Sequence, residues 1–484
     1  PSGEMVKLSY NDRGYAAGEA NPLGAEQVDV PYRTVLSMNA RGQVTQERFG
    51  NGVVGTYEYF ASTGGVKSIR AAHGSTILQS LAYAYDDPFA NLTEQQNLTQ
   101  SAVESFAYDN LQRLTRSTRT WGATSQTVSY AFDALGNVTL KDDYAASYMY
   151  GAAGKQNSAN AGPHAVGSYV RAAAAGGGTF ADFAYDANGN QLAGDGRTVA
   201  YNAFDQPISI ARDGVVTTFA YGPDLQRFKR VSPDATTYYV GKLHEQVSPS
   251  GQSGVVEQKD YVGGYLVISF DGTTKRLRYL HADRLGSVDT ITDENGVVFE
   301  QNGYDPFGKP RDADWTDDTV LGSSVSTRGF TQHEHVDEQQ LIHMNGRVYD
   351  YNLGRFLSVD PLIQNVAHSQ ALNPYSYVMN NPLMATDPTG YTYVAAMVND
   401  CPGGVLCASI EIEGENEAPP TPGTSGRDRQ GAKSDPHKPP NEQQRPAAPK
   451  PVDTQPPPPP EAPKSKQSDS LRSPWFGGGK PERP

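Results

Sequence analysis

Three aspartates, Asp350, Asp360 and Asp387, fall within one stretch of this 484-residue chain, and Arg347 stands at its start. They lie in GRVYDYNLGRFLSVDP (Gly346–Pro361) and DPTGY (Asp387–Tyr391). Two carboxylates held close together cannot both ionise cheaply. One keeps a proton and serves as an acid while the other activates water, which is the chemistry of aspartic-type peptide hydrolysis. The same residues carry a plainer reading. Asp360 and Asp387 each precede a proline, and Asp-Pro pairs start turns readily. Under either reading Arg347 and Arg355 are expected to pair with buried carboxylates. On residue types alone the turn role is the stronger.

A second group, His333, Glu334, His335 and His343, has the composition of a metal site but not its spacing. HEH followed by VDE is not HExxH, so no helix would set two imidazoles one turn apart, and a hydrogen-bonded structural role is expected instead. Cys401 and Cys407 enclose PGGVL with no further Cys or nearby His to complete a zinc set, leaving a local disulfide or two inert thiols open. No phosphate-binding glycine loop and no local Ser-His-Asp signature is present, and no cofactor or metal is expected. A net charge of −14 argues against a nucleic-acid surface, which needs clustered Lys and Arg.

The elements that must position these groups read as strands and turns. Only 19% of residues are charged, while Gly (49) and Tyr (28) are abundant, and Tyr favours strands as Gly favours turns. Before residue 275 one pattern keeps returning: AYAYDDPFANL (Ala82–Leu92), FAYDNLQRL (Phe106–Leu114), YAFDALGNV (Tyr130–Val138), FAYDANGNQL (Phe183–Leu192), YNAFDQPISI (Tyr201–Ile210) and FAYGPDLQRF (Phe219–Phe228). The step is about twenty residues, the size of one hairpin unit. A lone hairpin is marginal in water, so each unit must pair with its neighbours and bury its Tyr and Phe between them. The Ala- and Gly-rich stretch Gly151–Gly178 breaks the rhythm and is expected to be a loop or inserted flap. NG at Asn295–Gly296 marks a hairpin. No apolar run is long enough to span a membrane as a helix. From about Glu413 onward Pro, Glu, Lys and Gln dominate, and disorder is the default.

These repeats are YD repeats and resemble those of the Rhs family. The block that follows resembles the Rhs repeat-associated core of Rhs and Tc-type toxin C proteins. That resemblance is carried by YLHADRLGSV (Tyr279–Val288), YDPFG (Tyr304–Gly308), GFTQHEH (Gly329–His335), the Gly346–Pro361 block, NPYSY (Asn373–Tyr377), NNPL (Asn380–Leu383) and DPTGY. It implies an all-β architecture: a YD-repeat β-shell over 1–275, coiled into a cocoon, an Rhs core plug over 276–391, and a variable, largely disordered tail over 392–484. It further implies that the core cuts its own chain after a DPxG-hydrophobic motif, here between Tyr391 and Thr392. Arg347 and Asp360 match the family's catalytic positions. Where some members have an acidic residue directly after that Arg, this chain has Val348, so Asp350 or Asp387 is left as the second carboxylate.

The function this implies is a secreted polymorphic toxin shell that encloses and delivers its own C-terminal tail in interbacterial competition. An immunity protein and secretion-system components are the further partners of that reading. The chain starts at Pro1 without a leader and reads as a fragment. The alternative is a non-enzymatic cell-surface or adhesion YD-repeat protein.

Overall fold

The computed structural model describes residues 4–395 apart from 23–28, 86–88, 152–161, 181, 253–255, 313–315 and 317–319. Cys401, Cys407 and the Pro-rich tail therefore lie outside the described residues. The described residues are all-β, as the composition favours. Helical structure among the described residues amounts to 3-10 turns of three or four residues. No helix there is long and apolar enough to cross a membrane.

Two large antiparallel sheets are built as simple meanders, with strand order equal to chain order. The first has fifteen strands, from Lys7–Tyr10 to Thr179–Phe180, and the second has thirteen, from Ala184–Tyr185 to Val298–Gln301. The YD motif explains how each strand turns into the next. In Asp133–Asn137 the Asp133 Oδ1 accepts hydrogen bonds from the backbone N–H of Leu135 (2.8 Å) and Asn137 (2.9 Å). Asp186, Asp283, Asp293 and Asp305 do the same two and four residues on. The fourth residue of each such turn has positive φ, as at Gly189 (φ 84), which is why Gly recurs there. Gly189 has a second reason, because a Cβ would come within 2.6 Å of Val359 in the plug.

The aromatic of the motif has an equally specific task. The hydroxyl of Tyr59 donates to the carbonyl of Val44 (2.8 Å), Tyr108 to Leu92 (2.7 Å), Tyr150 to Val138 (2.6 Å), Tyr185 to Val166 (3.0 Å), Tyr221 to Pro207 (2.9 Å) and Tyr304 to Val288 (3.2 Å). Each tyrosine thus clips its own repeat to the preceding one. Burial of the YD aromatics is less uniform than expected. Phe106, Tyr130 and Phe183 are buried, but Phe204 and Phe228 are 65% and 45% exposed, being on turns or on the outer face of their strands.

Two further expectations need correction. Gly151–Gly178 is not only a loop: Val166–Arg171 forms a strand of the first sheet, paired with Ala145–Tyr150. Its Ala and Gly neighbours hid a strand that buries Val166 and Tyr169. The second sheet also continues through Lys275–Ala282, Val288–Thr292 and Val298–Gln301, past the expected boundary at residue 275. The hairpin at Asn295–Gly296 is present, within an Asp293–Val297 turn.

The sheets are tied to each other and to the plug by buried polar bonds. Gln79 Nε2 donates to Asp289 Oδ1 (2.6 Å), and Asn51 Nδ2 donates to Thr292 Oγ1 (2.9 Å) and the Asp293 carbonyl (2.8 Å). The plug is a four-stranded sheet of Glu334–Val336, Leu341–Met344, Arg347–Asp350 and Arg355–Phe356, buried throughout. Around it Phe330, Tyr349, Phe356 and Tyr377 pack ring to ring.

Two outcomes are expected. Tyr185→Phe leaves the buried Val166 carbonyl without its donor and should cost about 1 kcal/mol, read as a lowered melting temperature. Tyr10→Phe, at an exposed ring, should cost nothing measurable. The second concerns Asp289, whose carboxyl burial pushes up to about 6 against the hydrogen bonds of Thr290 and Gln79. The fold therefore favours its protonated form, so its contribution is fully present below the ordinary carboxyl value and is lost as pH rises through 6. Asp289→Asn, which keeps the acceptor for Gln79, should stabilise by about 1–2 kcal/mol at pH 8 for this half-buried side chain and by nothing near pH 4. Melting curves at the two pH values check it.

Candidate active site at the end of the plug

The Arg347–Asp350 strand places Arg347 inside the plug, with its side chain 3% exposed. Its guanidinium lies 3.6 Å from the Phe356 ring centre, a stacking that arginine's planar head allows. One of its nitrogens, Nη2, meets both candidate carboxylates: Asp360 Oδ2 at 2.8 Å and Asp387 Oδ2 at 3.4 Å. Nη1 donates to the Pro374 carbonyl at 3.0 Å, and Nε donates to the Gly390 carbonyl. A single arginine thus gathers Asp360, Asp387 and the DPTGY loop.

The loop itself is fixed through its backbone. Gly346 N–H donates to the Thr389 carbonyl (2.8 Å), Asn345 Nδ2 to the Pro388 carbonyl (2.9 Å), and the Tyr391 hydroxyl to the Gly346 carbonyl (3.1 Å). Gly390 has φ 77, and a Cβ there would lie 2.2 Å from the Met344 carbonyl, so only glycine lets the loop sit this close. At the bond between Tyr391 and Thr392, the Thr392 N–H donates to Asp387 Oδ1 at 2.9 Å and faces Thr389 Oγ1 at 3.2 Å.

Electrostatics in this cleft set burial against charge. Burial pushes the carboxyls of Asp360 and Asp387 above the usual carboxylate range, with the Arg347 cation opposing in each case. Burial likewise lowers Arg347 from its ordinary value, with the two carboxylates opposing. Asp387 lies on the Thr392 amide and Asp360 shares Arg347 Nη2 with it. In such a pair the carboxyl that keeps its proton can act as acid and the ionised one as base.

Asp350 is elsewhere. Its Oδ2 takes Arg197 Nη1 at 2.6 Å, and its Oδ1 accepts from the backbone of Asn352 and Leu353. Arg197 also meets Asp195 at 3.0 Å, so Asp350 joins the plug to the second sheet. Strand alternation accounts for this, since Arg347 and Asp350 are three residues apart and project from opposite faces. Arg355 also differs from expectation. It bonds the Tyr150 hydroxyl (3.3 Å), the His164 carbonyl and Asn373 Oδ1 (3.4 Å), all neutral groups.

One ring nitrogen of each of the three histidines is taken by a hydrogen bond. His333 Nδ1 meets Thr331 Oγ1 at 2.9 Å, His335 Nε2 accepts from Phe330 N–H at 3.2 Å, and His343 Nε2 meets the Tyr221 hydroxyl at 3.0 Å. Burial holds His333 and His335 down to about 3, so both are neutral. Glu334 is held down to about 2, where Arg227 and Arg230 overcome the opposing effect of burial. Among the described residues no group of three or more His, Cys, Asp and Glu could hold a metal ion. Asn345, Thr389 and the Pro374 carbonyl were not legible as site groups, because each acts through a backbone contact that residue type does not announce.

Known proteins resemble this chain over most of its length. The family model described as the Teneurin YD-shell matches residues 91–383, more than half of the chain. Toxin subunit YenC1 of Yersinia entomophaga is 25% identical over 452 residues, covering 80% of this chain and 45% of that protein. The tRNA3(Ser)-specific nuclease WapA of Bacillus spizizenii is 24% identical over 302 residues, covering 60% of this chain and 12% of that protein. A solved structure, TcdB2-TccC3 without its hypervariable C-terminal region, superposes with a TM-score of 0.62 at 19% identity, over 80% of this chain and 20% of that one. The chain spans less than half the length of these curated relatives. Its meander sheets, its repeated Tyr-Asp turns and the match over 91–383 agree, and the chain belongs to the Teneurin YD-shell family, as an Rhs/YD-repeat shell similar to the toxin subunit YenC1.

Proposed function

We propose that this chain is the shell of a toxin that encloses the polypeptide following Tyr391 and frees it by hydrolysing the Tyr391–Thr392 bond. The observation that carries the reading is the position of Asp387 Oδ1, 2.9 Å from the Thr392 amide nitrogen, with Asp360 held on the same Arg347 nitrogen. Water adds to the Tyr391 carbonyl carbon, with one carboxylate taking its proton. The C–N bond then breaks as the other carboxyl gives its proton to the Thr392 nitrogen. The products are a carboxylate at Tyr391 and a free amine at Thr392. Asp387, next to the leaving nitrogen, is the acid, and Asp360 is the base. Arg347 holds both and grips the loop at Gly390.

The relatives support the containment half of the reading. The neighbouring structure is described as lacking a hypervariable C-terminal region, and two curated relatives are a toxin subunit and a nuclease. A shell with a separable tail fits those descriptions. Release outside the producing cell and an immunity protein paired with the tail belong to the same proposal. The alternative, a passive adhesion shell, is favoured by the family model's teneurin name alone.

Intact mass after expression tests the reading. The parent should give a shell ending at Tyr391 and a tail of about 10 kDa. Asp360→Asn and Asp387→Asn should each slow the cut at least ~100-fold, the usual contribution of a positioned acid or base. Because burial raises both carboxyls, the acid keeps its proton to unusually high pH, and the rate should fall as pH rises beyond that point. A parent that never cleaves, or an Asp360→Asn chain that cleaves at the parent rate, overturns the assignment.

A further inference from the structure

The chain beyond the Tyr391–Thr392 bond is held by a part of the molecule that the catalytic reading does not use. Pro361–His368 is an exposed loop that leaves the plug directly after Asp360. Its start is pinned to the candidate base, since Leu362 N–H donates to Asp360 Oδ1 at 2.8 Å. Its far end is closed by Asn365, whose side chain accepts from Ala367 N–H at 3.1 Å and whose carbonyl accepts from His368 N–H at 3.2 Å. Between these anchors Gln364 reaches across to the chain downstream of the bond. Its Oε1 accepts from Tyr393 N–H at 2.9 Å, and its Nε2 donates to the Tyr393 carbonyl at 3.2 Å.

Both bonds go to one residue's main chain. A side-chain amide placed this way presents one acceptor and one donor, as a neighbouring strand would, and so holds Tyr393 extended. The ladder then continues in earnest. Thr386 pairs with Val394 and Ala385 with Ala395, antiparallel. On the bond itself, Thr392 N–H is taken by Asp387. From Thr392 to Ala395, then, the polar contacts are made to backbone atoms.

We propose that the Pro361–His368 loop is a subsite for the polypeptide downstream of the cut, its polar contacts reading an extended backbone while the Tyr393 ring packs on the core, with Gln364 as its positioning residue. The ligand class is any extended segment that offers an N–H and a carbonyl at position 393, which excludes proline there and admits most else. Such a subsite lets one shell serve tails of unrelated sequence. The inference rests on the proposed cleavage at Tyr391–Thr392. It deepens that reading by joining the downstream clamp at Gln364 to Asp360 through the three residues between them, so that base and bond are aligned together.

The test uses the full chain and compares cleavage half-times by intact mass. Gln364→Ala should slow the cut about tenfold, the effect of losing one or two hydrogen bonds that orient the bond. Gln364→Glu keeps the acceptor for Tyr393 N–H and should fall between parent and Gln364→Ala. Tyr393→Pro removes the N–H and should reproduce the Gln364→Ala loss, whereas Tyr393→Leu keeps it and should stay within about threefold of the parent. Gln364 is exposed, so its variants should melt with the parent, separating positioning from folding. Equal rates for parent and Gln364→Ala, or a Tyr393→Leu loss as large as that of Tyr393→Pro, overturn the proposal. If the parent does not cleave at all, the catalytic reading falls and hydrogen exchange of the Tyr393 amide decides the subsite. Protection in the parent that is lost in Gln364→Ala upholds it, and equal exchange in both overturns it.

Discussion

The wall of this protein depends on how its turns satisfy their own backbone. A strand that ends in a tight turn leaves N–H groups without ladder partners, and a buried carbonyl left bare costs as much as a lost hydrogen bond. Here the Asp or Asn of most repeats takes two turn N–H groups, as Asp186 takes those of Asn188 and Asn190. In several repeats the tyrosine just before it sends its hydroxyl back to a carbonyl of the preceding repeat, as Tyr185 does to Val166 and Tyr304 to Val288. Tyrosine suits the task because its ring fills the space between strands while its hydroxyl completes the polar accounting. That explains why the chain is rich in Tyr and Gly while being poor in charge.

Charge is used sparingly and mostly where the plug meets the walls. Arg311 grips Glu104 with two bonds of 2.9 and 3.0 Å across 207 residues, Arg197 joins Asp350 to Asp195, and Arg230 bridges Glu334 and Glu338. Burying such pairs costs desolvation that their attraction barely offsets, so they act as devices of register more than of stability. A plug shifted by one residue would strand a bare charge in the interior. Arg347 belongs to the same set, and beyond its two carboxylates it also takes the carbonyls of Pro374 and Gly390.

Much of this was legible in the residues. The twenty-residue step, the Tyr-Asp alternation and the Gly and Asn positions led to antiparallel hairpins, because turn chemistry is local and written in residue type. The pairing of Arg347 with Asp360 was legible from the family motifs. Whether Asp350 or Asp387 stood beside Arg347 was not, since that depends on which strand face meets the returning DPTGY loop. Strand Val166–Arg171 was hidden by the Ala- and Gly-rich residues around it, which carry no periodicity. Gln364 was invisible for a deeper reason. It acts on a backbone that many sequences could offer, so nothing in either residue type marks the pair.

Strand order that matches chain order has a consequence for how the molecule comes into being. Each wall strand finds its partner within a few tens of residues, so the walls have low contact order and can grow in the direction of synthesis, one repeat upon the last. The ties between Gln79 and Asp289 and between Asn51 and Asp293 span 210 and 242 residues. They can form only when the second sheet is nearly complete. Loop-closure entropy grows slowly with length, so these late bonds cost little more than short ones once both walls exist. Chain order and contact span therefore favour walls first, the seam between them next, and the plug with its arginine last.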